Sequence, residues 1–394
     1  MMRKFILVLS LLAAASCSQK PVDSSPPTTT TTTTVTSSTV TSQTPSQDPI
    51  KPNAGGLGLV PRGIDFDKPP TAVAFSSCAD ENKPQPIWNV ISKHDPDLFI
   101  FMGDNIYSDA SEGKNPAVEY KKLSAIPEYH AIREKVPFMA IWDDHDSGLN
   151  DGGADNPYKE QYKKEFLRHF PYVKDSVSWN QGGLYHVKYI GGDLTEKKRR
   201  RKITKKQPLL QVIMLDTRYY RSPLKPSATP EDKTHKYDPW DENDKTKTIL
   251  GEEQWSWLED QLQRPADLRF IVSSIQLIPN DHHFEKWGNF PYERNRFFNL
   301  LKKYNIRNAV IFSGDRHIGA ISKYDIKGLG PIFEITASAI NKTRSEPEKD
   351  STYIGNTVNK DNFGLALIDW KKKTLKVELR DINDEIGNSV EFKF

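Results

Sequence analysis

The sequence predicts an α/β fold. Short apolar runs alternate with amphipathic helical patterns through the middle of the chain, and the last third turns strand-rich. Polar clusters collect where the apolar runs stop. The 394 residues suffice for one large domain or two small ones; residues 62–394 read as one.

The chain opens with Arg3 and Lys4, an apolar run from Phe5 to Leu12, and small residues Ala13–Ser16 before Cys17. That run is too short to span a bilayer comfortably, so residues 1–16 read as a removed signal peptide. A Cys directly after small residues resembles a bacterial lipobox, although Ala14 stands where Leu is commoner. Cys17 is therefore the expected lipidation site, with an ordinary cleaved secretory signal as the alternative. Residues 17–61, including the unbroken Thr28–Thr34, carry almost no large apolar groups. Such a stretch buries too little surface to offset its ordering entropy, and a flexible tether is expected.

Strand-like runs follow at Ala72–Ser76, Leu98–Phe101, Phe138–Trp142, Leu184–Ile190, Leu209–Leu215, Phe270–Ser274 and Val310–Phe312. Helical patterns lie between them at Ala117–Ala125, Tyr158–Phe170, Glu252–Gln263 and Tyr292–Tyr304. Five more strands are expected at Ile318–Asp325, Pro331–Ser338, Phe363–Trp370, Thr374–Arg380 and Ser389–Phe394. The basic run Lys197–Lys206 falls between two strand patterns, which suits a solvated hairpin tip; an anionic surface is the other reading.

Composition removes several classes. At 36% hydrophobic and 27% charged the chain is neither a polytopic membrane protein nor, with two Cys, a disulfide scaffold. The 55 basic and 52 acidic side chains nearly balance. A single short basic run makes a poor nucleic-acid surface, so no nucleic-acid partner is expected.

The chemistry sits at the strand ends: Phe75-Ser-Ser-Cys78, Phe101-Met-Gly-Asp-Asn-Ile-Tyr107, Ile141-Trp-Asp-Asp-His-Asp146, Val272-Ser-Ser-Ile-Gln276 and Ile311-Phe-Ser-Gly-Asp-Arg-His317. In open α/β folds, groups at carboxyl ends of strands meet in one crevice. A thiol, a phenol, several carboxylates, an amide and two imidazoles would meet there, which is an inventory for metal ions. Cys78 has no disulfide partner if Cys17 is lipidated, so ligation or protection is expected of it in an oxidising compartment. His282, His283 and Trp287 read as rim or lid.

These motifs resemble the PhoD-like alkaline phosphatases, a branch of the calcineurin-like metallophosphoesterase superfamily. The matching elements are SSC at 76–78, MGDNIYSD at 102–109, WDDHD at 142–146, LDTRYYR at 215–221, SSIQ at 273–276, ER at 293–294 and SGDRH at 313–317. Cys78 in the first motif and Asp315 in the last depart from the general superfamily pattern and match this branch. The resemblance implies a four-layer αββα sandwich with a dinuclear or larger metal cluster. One metal would take Cys78, Asp104, Tyr107 and His317, a donor set that suits Fe(III). A second would share Asp104 and take Asp144, Asp315 and Gln276, an oxygen set that suits Ca.

Carried over in the same way, metal-bound hydroxide attacks phosphorus and His145 donates a proton to the leaving alcohol, its ring oriented by Asp146 or Asp143. Arg218 is either a phosphate clamp or a partner to an acidic neighbour, and Asn105 is a second candidate for substrate binding. The expected protein is an exported, lipid-anchored, monomeric phosphohydrolase of the cell envelope, cleaving mono- or diesters of small or polymeric substrates. A dedicated phosphodiesterase acting on phospholipid or polyol-phosphate polymer is one alternative. A non-catalytic surface lipoprotein is the other.

Overall fold

The computed structural model describes Leu59 and residues 61–177, 180–192 and 207–394. The signal peptide, Cys17, nearly all of the tether and the basic run 197–206 lie outside the described residues. In chain order the strands are β1 (Ala72–Ser76), β2 (Leu98–Met102), β3 (Phe138–Ile141), β4 (His186–Gly191), β5 (Leu209–Met214), β6 (Lys225–Pro226) and β7 (Tyr237–Asp238). They continue as β8 (Leu268–Ser273), β9 (Ala309–Ser313), β10 (Gly319–Ile326), β11 (Gly330–Ala337), β12 (Asn362–Asp369), β13 (Thr374–Asp381) and β14 (Ile386–Lys393). The helices are α1 (Ile87–Lys93), α2 (Pro116–Ala125), α3 (Pro127–Lys135), α4 (Asp144–Ser147), α5 (Lys159–His169), α6 (Pro171–Lys174), α7 (Gly251–Gln263) and α8 (Pro291–Lys303).

Two six-stranded sheets form, in the orders β14-β13-β12-β1-β2-β3 and β10-β11-β9-β8-β5-β4, with β6 and β7 as a separate small hairpin. β1, β2 and β3 run parallel, as do β5, β8, β9 and β11. Their carboxyl ends therefore point one way within each sheet. The β12–β14 meander adds antiparallel strands to the first sheet.

The layering follows from period-2 alternation on strands buried on both faces. In β8, Phe270 and Val272 join the core between the sheets, whereas Ile271 packs with Trp255 and Leu258 of α7 and Phe297 of α8. Phe75 of β1 stacks on Phe312 of β9 with centroids 3.9 Å apart, so the sheets meet face to face. On the far side of the first sheet, Trp88 of α1 contacts Phe99 and Phe101 of β2 and Tyr129 of α3. Helix, sheet, sheet, helix is the expected four-layer sandwich.

Candidate metal centre

Each candidate donor stands just past a strand end, and the loops carrying them interlock. Cys78 N–H donates to Gly103 O (3.3 Å), Ala79 N–H to Asp104 O (2.9 Å) and Gly314 N–H to Ser274 O (2.9 Å). Ser274, after β8, reaches across to Asp143, after β3, with its hydroxyl 2.6 Å from Oδ1. Glycine at 103 is required by this packing: φ is +103°, and a Cβ there would lie 2.6 Å from Cβ of Asp143. The backbone is strained where the donors sit. Cys78, Asp104, Asp315 and His317 have φ of 62°, 48°, 68° and 59°, a region costing such residues about 1–3 kcal/mol each and typical of functional sites.

Cys78, Asp104 and His317 bring one donor atom each within 4.8 Å of one another. The Tyr107 hydroxyl joins them, 3.0 Å from Asp104 Oδ2 and 3.2 Å from His317 Nε2. Ser338, after β11, contacts Cys78 Sγ at 3.2 Å and accepts the His317 N–H at 2.9 Å. Burial, aided by the Asp104 charge, pushes the Cys78 thiol and the Tyr107 phenol well up. Burial, with the positive charges of Lys342, Arg316 and His145, pulls His317 down to about 3, leaving a neutral imidazole able to donate to a cation.

Two further groups adjoin the first. Asp104, Asp144 and His145 make one and Asp143, Asp144 and Asp315 the other, each with donor atoms within 4.8 Å. Burial and like charges push Asp104 and Asp315 well above the usual carboxylate range. Burial opposes ionisation of Asp144 too, but His145 and Arg218 hold it low. Among the described residues, Asp104 Oδ1, Asp143 Oδ2 and Asp315 Oδ2 are buried without hydrogen-bond partners, and of these Asp315 Oδ2 has a cation nearby, Arg316 Nη1 at 3.7 Å. Orphaned carboxylate oxygens are costly unless something positive meets them. These residues therefore fit cations.

Several expectations need correction. Gln276 is committed elsewhere: Nε2 donates to Thr336 Oγ1 (2.9 Å) and the Tyr353 hydroxyl (3.1 Å), and Oε1 pairs with His282 Nε2 (3.0 Å). Asp143 takes its place beside Asp144 and Asp315. The His145 ring is oriented by neither Asp146 nor Asp143. Asp109 does so, with Oδ2 2.6 Å from Nδ1. Burial opposes charge on this ring, yet Asp144, Asp104 and Asp109 push it up to about 10.

Asp146 instead braces the loops, accepting from the backbone N–H groups of Asn105 (3.1 Å) and Asp143 (2.9 Å) and from the Tyr120 hydroxyl (3.0 Å). Asn105 is wholly buried and its amide donates to Ile141 O at 2.9 Å, so it too is a brace rather than a substrate contact.

Arg218 takes the salt-bridge reading. Its guanidinium is buried against Asp143 and Glu285, with Nη1 2.6 Å from Glu285 Oε2, and Arg221 grips the other Glu285 oxygen at 2.8 Å. With Nε and Nη1 spent on two carboxylates and Nη2 4.0 Å from Asp144 Oδ1, the fork is held by acidic neighbours rather than offered to a phosphate edge. Asp109, Glu285 and Ser338 went unassigned in the sequence; only Asp109 lay within a matching motif.

The PhoD-like phosphatase family profile matches residues 194–379. That span holds Arg218, Asp315 and His317 but begins after Cys78, Asp104 and Asp144. Alkaline phosphatase D of Bacillus subtilis (strain 168) is 22% identical over 319 residues, 69% of this chain and 49% of that protein. The chain thus spans about half the length of the curated relative it matches. A solved structure described as PhoD aligns with TM-score 0.62 at 16% identity, covering 85% of this chain and 70% of the other. GAP50, the anchor in the inner membrane complex of Plasmodium, aligns with TM-score 0.51 at 12% identity over 83% and 90%. At these identities the structural likenesses establish the fold.

Proposed function

We propose that the chain is a PhoD-like phosphatase, a metal-dependent phosphoric ester hydrolase acting on mono- or diesters, supported by the family profile over residues 194–379 and by its likeness to alkaline phosphatase D. The observation that carries the reading is one crevice where three buried carboxylates hold oxygens that accept no hydrogen bond from the described residues, beside a thiol, a phenol and a neutral imidazole. Cys78, Asp104, Tyr107 and His317 would hold a transition metal, with Fe(III) the ion that phenolate and thiolate favour. Asp104, Asp143, Asp144 and Asp315 would hold a hard cation such as calcium. Such cations, when bound, share the negative charge of the phosphoryl oxygens and make water acidic enough to serve as nucleophile near neutral pH.

The chain's own residues supply the rest. Asp109 accepts the Nδ1 proton of His145 and holds the ring in one orientation. Among the described residues Nε2 has no hydrogen-bond partner, so it is the atom that gives a proton to the departing alcohol. Arg218 and Glu285 keep Asp143 and Asp144 in place. The strand-end loops are tied to one another by backbone hydrogen bonds, which holds the donors in position before substrate arrives.

The test is turnover of a chromogenic monoester and a chromogenic diester, with iron and calcium quantified in the same preparation. At least one ester should be hydrolysed, with activity lost to a chelator and restored by metal. A metal-replete preparation inert toward both would contradict the reading and favour a binding protein.

For its address we propose export and a lipid anchor on Cys17, supported by the basic, apolar and small-residue order of residues 1–17. Cys17→Ser should release the protein from the membrane fraction or block its processing; unchanged membrane partitioning would contradict the anchor.

A further inference from the structure

The segment following β11 crosses the site as a strap. Ile340 N–H donates to Ser77 O (3.0 Å), Asn341 N–H to Cys78 O (3.5 Å) and Arg344 N–H to His317 O (2.9 Å). The Asn341 side chain accepts the Asp80 N–H at 2.7 Å and donates to Asp80 O at 2.8 Å. Backbone on both sides of Lys342 is thus pinned to the loops bearing Cys78 and His317. Between these anchors the half-buried Lys342 lays its Nζ 3.3 Å from the ring centroid of Tyr107. The same ring lies 4.3 Å from the His145 imidazole.

Lys342 differs from the other cations nearby in having no counter-ion among the described residues. Arg316 and Arg344 share Glu348, Arg218 is held by Asp143 and Glu285, and Lys114 pairs with Glu112 at 2.8 Å. Asp80, the carboxylate fixed to the strap, pairs with Lys83 at 3.0 Å. Among the described residues no carboxylate comes within ion-pairing distance of Lys342. An aromatic face is a weak resting place for an ammonium that is still partly in water. A phosphoryl oxygen is a better partner, since charge-assisted hydrogen bonds are roughly twice as strong as neutral ones.

Resting on the phosphoesterase reading, we propose that Lys342 is a specificity-determining residue: its ammonium leaves the Tyr107 ring to bind a non-bridging oxygen of a phosphate monoester dianion. A monoester carries nearly two negative charges above its second pKa of about 6, whereas a diester carries one. One further cation at the crevice therefore favours the monoester. The role left open by the committed Arg218 falls to a lysine on the strap.

Lys342→Met and Lys342→Arg separate the possibilities when assayed at pH 8 on a monoester and a diester with the same leaving group. Inorganic phosphate inhibition and metal content are measured on each preparation. For Lys342→Met, kcat/KM on the monoester should fall about 10- to 100-fold, chiefly through KM, as expected for loss of one charge-assisted contact. Phosphate inhibition should weaken by a similar factor, while the diester loses no more than about 3-fold, its smaller charge depending less on the ammonium. Metal content should be unchanged, and Lys342→Arg should recover most of the monoester rate. Equal losses on both esters, or unaltered phosphate inhibition, would overturn the inference. A native protein that hydrolyses neither ester would remove the phosphoesterase reading itself, whereas Lys342→Met binding phosphate as tightly as the native chain removes only the role of Lys342.

Discussion

Asp109 decides what His145 can do. Its carboxylate, 2.6 Å from Nδ1, only accepts, so Nδ1 carries a proton and any positive charge on the ring is stabilised. Asp109→Asn keeps an acceptor but loses that charge. Metal content and KM should hold while kcat falls about 10-fold or more; His145→Asn should cost about 10²-fold or more on the scale of general acid catalysis. The double variant should be no slower than His145→Asn alone, because Asp109 acts through the ring. Full additivity, measured on an ester with a poor leaving group, would show an independent role for Asp109. Cys78, Asp104, Tyr107 and His317 were legible in the sequence because each follows an apolar run that ends in a distinctive polar motif. The Asp109 pairing was not, since 36 residues, including α2, α3 and β3, separate the partners. Arg218 stayed ambiguous for the same reason: Glu285 lies 67 residues away.

Strands announced themselves wherever apolar runs were unbroken. β8 and β9 appear within a residue or two of expectation because both of their faces are covered, and Phe312 and Ile311 belong to different cores. Elements with weaker patterns escaped. α3 carries five charged residues or histidine among nine, PEYHAIREK, and contributes only Tyr129, Ile132 and Arg133 to the interior. α4 winds the last three residues of WDDHD and Ser147 into one turn, with the backbone N–H of Asp143 just before it tied back by Asp146.

β4 holds a titration that packing imposes. His186 Nδ1 donates to Leu184 O at 2.8 Å, and among the described residues its buried Nε2 has no partner for a second proton. Burial accordingly pulls its pKa from 6.5 to about 4. The folded state keeps the neutral ring while the unfolded chain takes up a proton, so this contribution is intact above pH 6.5 and is lost as pH falls toward 4. The full loss is about 3 kcal/mol. Urea unfolding at pH 7 and pH 4 should show a smaller acid-induced loss for His186→Gln than for the native chain. An identical loss would place the acid sensitivity elsewhere.

At the scale of the molecule, two sheets pack face to face and each sends its parallel carboxyl ends to the crevice. β1, β2 and β3 bring Cys78, Asp104 and the Asp143–Asp146 turn; β8 and β9 bring Ser274 and Asp315–His317. The alternation of strands and helices made that architecture legible, and the motifs placed most donors at its strand ends. The strap after β11 was not legible, because Asn341 and Lys342 acquire meaning only through the loops they meet. Asp104 is the one candidate ligand common to the Cys78–His317 group and the Asp144 group, so the account stands on its serving both. Metal content and turnover of Asp104→Asn, measured on one folded preparation, test that directly. The transition metal, the hard cation and phosphoester hydrolysis should be lost together. A folded Asp104→Asn protein that keeps both metals and its turnover would contradict it.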